Sequence, residues 1–399
     1  MKKFTRYHIV YVNEVAFMRE QADVVIIGGG IVGLSVAFYL AREKYGKIVV
    51  LEKEQFLGSG ATSKAAGGIR AQFSTKVNIE MSMLSEKLFC SFKEDTGNDA
   101  LFDQVGYMFL LEEEDAVTKF TSEYELQKSL GLNVELLKPD DIPARAPHVS
   151  LDGIRLATFC PDDGLGDPHE FLSGYEHVAR QMGVEIEFEA EVTAITIEND
   201  NIKGISTPKG NISTPMIINC AGPQAGLIGD MLGVKVAVQP IKRQIVTTGA
   251  LDFVKPDFPM VVDVKSGLYC HKESQGMLLG WADKSVQPSF DISLDPDYTD
   301  AILEKALERI PQLEEAEVAN QWAGLYETTP DHHAIIGWDS KIKGVFHCAG
   351  FSGHGFMQAP AAGLVTSEVL TGKIPSVDIS ALAPDRFAVG TSMNETNVI

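Results

Sequence analysis

Three glycines and one acid set the first chemical expectation. Gly28, Gly30 and Gly33 stand at G-x-G-x-x-G spacing, after a β-branched run at residues 24–27 and at the head of an apolar stretch opened by Ile31 and Val32. Glu52 closes a second β-branched run at residues 48–51. Strand, glycine turn, helix and acid-tipped strand form a dinucleotide fingerprint in which each part has a job. Gly28 permits the tight turn, Gly30 lets backbone approach a pyrophosphate, and Gly33 lets the helix close on the strand. The helix N-terminus offers free N–H groups to phosphate. Glu52 accepts ribose hydroxyls and repels a 2′-phosphate, which disfavours NADP and leaves NAD or FAD.

Other stretches carry similar chemistry. Residues 58–70, GSGATSKAAGGIR, set Ser59, Ala61, Thr62, Ser63, Gly67 and Gly68 in small-residue backbone suited to lie against a ligand. A buried-strand pattern at 216–219 runs into Cys220, Ala221 and Gly222, and another at 345–348 runs into Gly350, Gly353, His354, Gly355, Phe356 and Met357. The last of these repeats the opening logic of strand, glycine turn and helix N-terminus. Lys53, beside Glu52, and Val192, at the head of a strand over 192–198, join the cofactor candidates. For substrate, Arg70 offers a bidentate fork to a carboxylate. Tyr326 offers a phenol to an amine or carboxylate, and His271 ends a strand that could face the cofactor. Lys64 and Arg243 are further sources of positive charge. His332 and His333 are adjacent, so on extended backbone they point opposite ways and make a poor metal pair. No metal is expected.

These residues need elements to hold them. With 399 residues and 45% apolar content, the chain can bury one large core or two linked ones. The βαβ pattern gives way at about residue 98 to strands and an acidic helix over 113–130. Residues 75–96 read as a helix stopped by Gly97, and 168–182 as a helix with Pro168 at its first position. Alternating strands at 241–247, 260–264, 268–271 and 277–281 suit an antiparallel sheet. A helix follows over 297–310, the chain returns to the first domain with residues 321–331, and the last helix spans 360–370.

The formal charge of −21, from 34 basic and 55 acidic residues, argues against a nucleic-acid partner. Five scattered cysteines form no CxxC pair and read as reduced thiols. The expectation is a cytoplasmic protein, at most peripheral to a membrane. Residues 1–17 lack the apolar core and cleavage site of a signal peptide and read as an extension, with Met18 a candidate true start.

GGGIVG with Glu52, GSGATSKAAGGIR, DDGLGDP, INCAGP, GLYETTPD and AGFSGHGF together resemble the D-amino-acid oxidase-like superfamily of FAD oxidoreductases, over about residues 23–387. The nearest branches are sarcosine oxidase, its β subunit and the β subunit of dye-linked L-proline dehydrogenase. The resemblance implies FAD, and an α/β Rossmann-like FAD domain with a parallel central sheet (19–97, 152–232, 323–388). Interleaved with it is an α+β substrate domain on a mainly antiparallel sheet (98–151, 233–322), with residues 1–18 and 389–399 as extension and tail. It also implies hydride transfer from a small amino acid or secondary amine to flavin N5, giving an imine. Residues 353–357 would set N–H groups against the flavin pyrimidine. Where monomeric sarcosine oxidase attaches flavin through cysteine this chain has Gly324, so FAD is expected to be non-covalent. Its substrate-binding lysine is Met357 here, the arginine of glycine oxidase is Tyr326, and the oxygen-reducing lysine falls near Leu278. Arg70 matches the remaining carboxylate arginine. Electrons would pass to oxygen, a dye-like carrier or a partner subunit in a homo- or hetero-oligomer. The alternatives are oxidation of a 2-hydroxy acid or glycerol 3-phosphate, with His271 as base, and a flavin-bearing β chain active only with its partners.

Overall fold

The computed structural model describes residues 18–398; the expectations for residues 1–17 lie outside them. Val24–Ile27 and Ile48–Leu51 are buried along their whole length. Strands with no polar face are stable only in a sheet covered on both sides, and they form the centre of one. Its order is Glu185–Glu187, Ile48–Leu51, Val24–Ile27, Ile217–Asn219, Val345–Ala349, Ile335–Trp338, parallel except for the last pair. Alternate side chains enter two different cores. Val24, Ile26, Ile48, Val50 and Phe346 pack with the helices Ile31–Arg42, Pro168–Gln181 and Gly355–Leu370. Val25, Ile27, Val49 and Ile217 pack against Ile202, Ile205 and Ile212 of a four-stranded sheet and against the helix Ala225–Leu232.

The second large sheet has eight strands, in the order Val318–Thr328, Gln239–Thr248, Gly276–Trp281, Leu268–Glu273, Met260–Asp263, Tyr107–Leu111, Leu156–Cys160, Glu135–Leu137. Only Met260–Asp263 and Tyr107–Leu111 pair in parallel. Here too the period of two sorts side chains. Met108, Val246, Val261, Cys270 and Leu279 face the helix Pro296–Arg309, while Tyr107, Phe109, Ile245, Met260 and Tyr269 face the other way. That second face carries the chemistry.

Sheet membership moves two expected boundaries. Leu156–Cys160 pairs with Tyr107–Leu111, so the eight-stranded sheet reaches past residue 152. Val318–Thr328 pairs along Gln239–Thr248, so the chain rejoins the parallel sheet after Thr328 rather than at 323. The helix expected over 360–370 begins at Gly355, five residues before Pro360, and a short helix, Arg386–Val389, follows it. Residues 76–96 form two helices, broken at Ser91, with Gly97 left-handed at the end. A small sheet of Gly68–Ile69, Gly164–Gly166 and Phe102–Asp103 ties GSGATSKAAGGIR to DDGLGDP. Among the described residues no helix is long and apolar enough to cross a membrane. All five cysteines are free, with Cys90 exposed.

The TPD turn anchors the chain's last segments. Arg386 Nε and Nη2 donate to Asp331 Oδ2 and Oδ1 at 2.8 and 3.0 Å, with both side chains 2% exposed. Burial pushes the Asp331 carboxyl up, but the Arg386 bonds outweigh it and hold it below the usual range. Removing one partner strands a buried charge. Arg386→Met is therefore expected to cost about 3–5 kcal/mol in urea unfolding, and Asp331→Asn in the same chain to recover part of it.

Candidate active site

A cavity of about 610 Å³ opens at the carboxyl ends of the parallel strands, where open α/β sheets bind ligands. Its walls run from Gly28, Gly30 and Glu52, past Thr62 and Cys220–Gly222, to Arg70, Tyr326 and the turn before the Gly355–Leu370 helix. The volume suits a large cofactor.

One end is built for a nucleotide. Glu52 is 8% exposed and accepts from Gly29 N at 3.0 Å and Glu54 N at 2.9 Å, one bond per oxygen. A carboxylate oxygen accepts more than one bond, so capacity for hydroxyls remains. Gly28 lies at φ +112°, and a Cβ there would sit 2.3 Å from the Cys220 carbonyl oxygen. A Cβ on Gly33 would sit 2.0 Å from the Gly28 carbonyl oxygen, so Gly33 serves helix–strand contact as expected and does not line the cavity. Neither the Ile31–Arg42 helix nor the Gly355–Leu370 helix carries an acid in its first turn to compete with an electron-rich ligand. Ile31, Val32, Lys53, Ser59, Ala61, Gly67, Gly68, Val192, Gly353, His354, Gly355, Phe356 and Met357 line the walls as well. Besides Gly33, two expected contacts do not. Ser63 bonds back to the carbonyls of Ser59 and Gly60, and Gly350 donates its N–H to Glu327 Oε2 at 2.8 Å.

The other end gathers cations and phenols. Arg70 is 3% exposed, with its guanidinium 3.9 Å from the Phe73 ring centroid and near Tyr107 and Phe109. Nη1 donates to the Gln72 carbonyl at 2.7 Å and Nη2 to the Asn397 carbonyl. The backbone beside Arg70 is held by Asp163 of the DDGLGDP motif, which accepts from Ala71 N and Gln72 Nε2 at 3.0 and 2.9 Å. Glu86 next to Asp163 is pushed up to about 11, by burial and then by that neighbour's charge. Tyr107, Tyr269 and Tyr326 line this end, and burial pushes all three phenols up, keeping them as O–H donors. The Arg243 guanidinium stands 5.2 Å from the Tyr326 ring. Arg70 Nε, Arg243 Nε and His354 Nε2 are buried in this wall with no hydrogen-bond partner among the described residues. A native fold leaves few such atoms unpaired.

His271 does not belong to the site. Its Nδ1 lies 2.6 Å from the Lys272 carbonyl and its Nε2 2.9 Å from the Ala66 carbonyl. With both nitrogens turned to carbonyls no lone pair reaches the cavity, which the ring does not line. With Trp322 Nε1, which donates to Lys64 O at 3.2 Å, His271 pins the 64–66 backbone to the large sheet. Tyr269, two residues earlier on the same strand face, is the residue that reaches the cavity. That period-two relation was the available signal for it. Leu278 is buried behind Ile245, Met260 and Tyr269, while Met357 lines the wall. A side chain at Gly324 would meet Lys64 Cβ at 2.5 Å, so this position has no room for a cysteine. Among the described residues no cluster of His, Cys, Asp and Glu could hold a metal.

Glu327 was not foreseen. It lines the cavity, 8% exposed, and burial pushes its carboxyl up to about 7 against the N–H bonds from Gly350 and Phe351. An acid whose folded value exceeds its unfolded one stabilises the fold fully below pH 4.5, and that contribution is lost as pH rises through about 7. The apoprotein should lose roughly 3 kcal/mol from this group between pH 4.5 and 8. Glu327→Gln should flatten the same profile in denaturant titrations.

A parallel sheet with a glycine turn and terminal acid, joined through one cavity to a large sheet lined with arginine and tyrosine, defines the class of flavin-dependent oxidoreductases. The chain belongs to the FAD-dependent oxidoreductase (DAO) family, whose model matches residues 23–369. It is 28% identical to FAD-dependent oxidoreductase domain-containing protein 1 of Xenopus laevis, over 95% of this chain and 85% of that protein. It is also 28% identical to rat mitochondrial dimethylglycine dehydrogenase, over 95% of this chain and 46% of that longer protein. Among solved structures it resembles L-proline dehydrogenase from P. horikoshii at a TM-score of 0.88 and 32% identity, covering 94% of this chain and 100% of that one. The protein is an FAD-dependent oxidoreductase. The spare capacity of Glu52, the two acid-free helix N-termini and the unpaired His354 Nε2 fit that cofactor.

Proposed function

We propose that the protein oxidises the C–N bond of a small amino acid or secondary amine of the sarcosine, proline or glycine kind, with FAD held non-covalently. The observation that carries this reading is Arg70, a buried guanidinium with an unpaired Nε, set among three protonated phenols in the cavity wall. Arg70 binds the substrate carboxylate by charge-assisted hydrogen bonds. Tyr326 and Tyr269 orient the amine, and the apolar residues Met260, Ile245 and Met357 exclude water. Bound FAD supplies a two-electron acceptor. An amine brings its own lone pair to assist loss of the C–H hydride, so positioning suffices and no dedicated base is needed.

A 2-hydroxy acid or glycerol 3-phosphate needs a base at the hydroxyl. Glu327 lines the cavity with its carboxyl pushed up to about 7 by burial, but that carboxylate already accepts N–H bonds from Gly350 and Phe351. His271 is turned away from the cavity. His354 is pushed down to about 3, by burial and then by the Arg70 charge, well below the range useful at neutral pH. Leu278, buried and uncharged, supports a dehydrogenase working with a dye-like carrier or partner subunit over an oxidase. Turnover of L-proline, sarcosine, dimethylglycine and glycine, followed with an artificial dye and with oxygen, tests both points. Dye-linked turnover at least tenfold faster than oxygen-linked turnover is expected. Turnover of hydroxy acids alone would overturn the amine reading.

A further inference from the structure

Residues 393–398 carry more contacts than a loose tail needs. Glu395 is 1% exposed and accepts from the backbone N–H groups of Ser74 and Thr75 at 2.8 and 3.2 Å, from Thr75 Oγ1 at 2.8 Å and from Asn78 Nδ2 at 3.1 Å. Its own N–H donates to the Asp331 carbonyl at 3.0 Å, tying the segment to the TPD turn. Asn397, 3% exposed, donates through Nδ2 to Glu123 at 2.9 Å and accepts at Oδ1 from Lys119 at 3.0 Å. Its backbone carbonyl then meets Arg70 Nη2, and Val398 lines the cavity.

We propose that Glu395 and Asn397 are positioning residues for substrate, acting through Arg70. Nη1 donates to Gln72 O and Nη2 to Asn397 O, one bond each, and Nε is buried with no partner among the described residues. Two carbonyls hold the guanidinium, and each Nη keeps a second N–H for a carboxylate in the cavity that Arg70 lines. Arginine presents donors in a rigid fork, so the orientation of the plane decides which edge a carboxylate meets. Glu395 latches the segment to residues 74–78, Asn397 latches it to the helix Glu114–Ser129, and the Asn397 backbone carbonyl sets the guanidinium plane. The inference rests on the proposed role of Arg70 as carboxylate clamp.

The experiment uses the full-length holoenzyme with 2-furoate, a carboxylate that offers no C–N bond to oxidise. Its Kd is read from the perturbation of the flavin spectrum, beside amide exchange over residues 393–398. Glu395→Gln and Asn397→Ala should each weaken 2-furoate and raise KM about tenfold. Both should retain flavin, leave kcat within about twofold, and speed exchange of the segment. Lys119→Met, which cuts a half-exposed tie to the same segment, should move Kd in the same direction and serves if either buried variant fails to fold. Faster exchange with an unchanged Kd would overturn the proposal. So would tighter binding or faster turnover, which would make the segment a plug. A wild-type protein that binds no 2-furoate while turning over an amino acid would instead overturn the clamp role of Arg70.

Discussion

Arg70→Met is expected to raise KM for an amino-acid substrate by about 100-fold, with the protein still yellow and folded. A charge-assisted hydrogen bond to a buried carboxylate contributes about 1.5–3 kcal/mol, and its loss leaves the substrate anion desolvated and unpaired. Methionine fills much of the volume against Phe73, Tyr107 and Phe109, so packing is largely kept. Arg70→Lys keeps the charge and loses the fork, and is expected to fall between, at about tenfold. Steady-state kinetics with circular dichroism as a folding control distinguish the three forms. An unchanged KM in Arg70→Met would remove the carboxylate clamp.

Gly28→Val should give a colourless protein. Gly28 sits at φ +112°, where an L side chain is strained, and its Cβ would lie 2.3 Å from a backbone oxygen that has no slack to move. Strain of this kind costs more than about 3 kcal/mol, enough to weaken FAD binding at least 100-fold. Gly33→Val should act alike through the Gly28 carbonyl. Gly249→Ala, outside the cavity and with its nearest neighbour at 3.9 Å, should bind FAD normally and serves as the control. Titration of apoprotein with FAD, followed by quenching of flavin fluorescence, separates these cases.

What could be read ahead was local. The fingerprint is carried by neighbours in sequence: Val24–Ile27 must be a covered strand because all four residues are apolar, and Gly28 and Glu52 follow from where strands end. Arg70 was singled out by its match to the carboxylate arginine of sarcosine oxidase, and the fold places it in the cavity wall. His271 was misplaced because its strand says which face a side chain takes but not what stands opposite. The 64–66 backbone, 205 residues away, fills that space. Glu327 and Tyr269 were hidden for the same reason, since their surroundings come from other elements. The boundaries at 152 and 323 moved because strand pairing, not local composition, assigns a segment to a sheet. Residues 393–398 have no periodicity at all. Their place is set by hydrogen bonds to Ser74, Thr75, Asn78, Glu123 and Asp331, and only the folded chain brings these together.

The most direct measurement of the account is anaerobic mixing of the FAD-loaded protein with candidate donors, watching the flavin absorbance near 450 nm. L-Proline, sarcosine or another small amino acid is predicted to bleach the flavin in wild type, and to do so only at far higher concentration in Arg70→Met. Bleaching by a 2-hydroxy acid or glycerol 3-phosphate, with none by any amino acid or secondary amine, would contradict it.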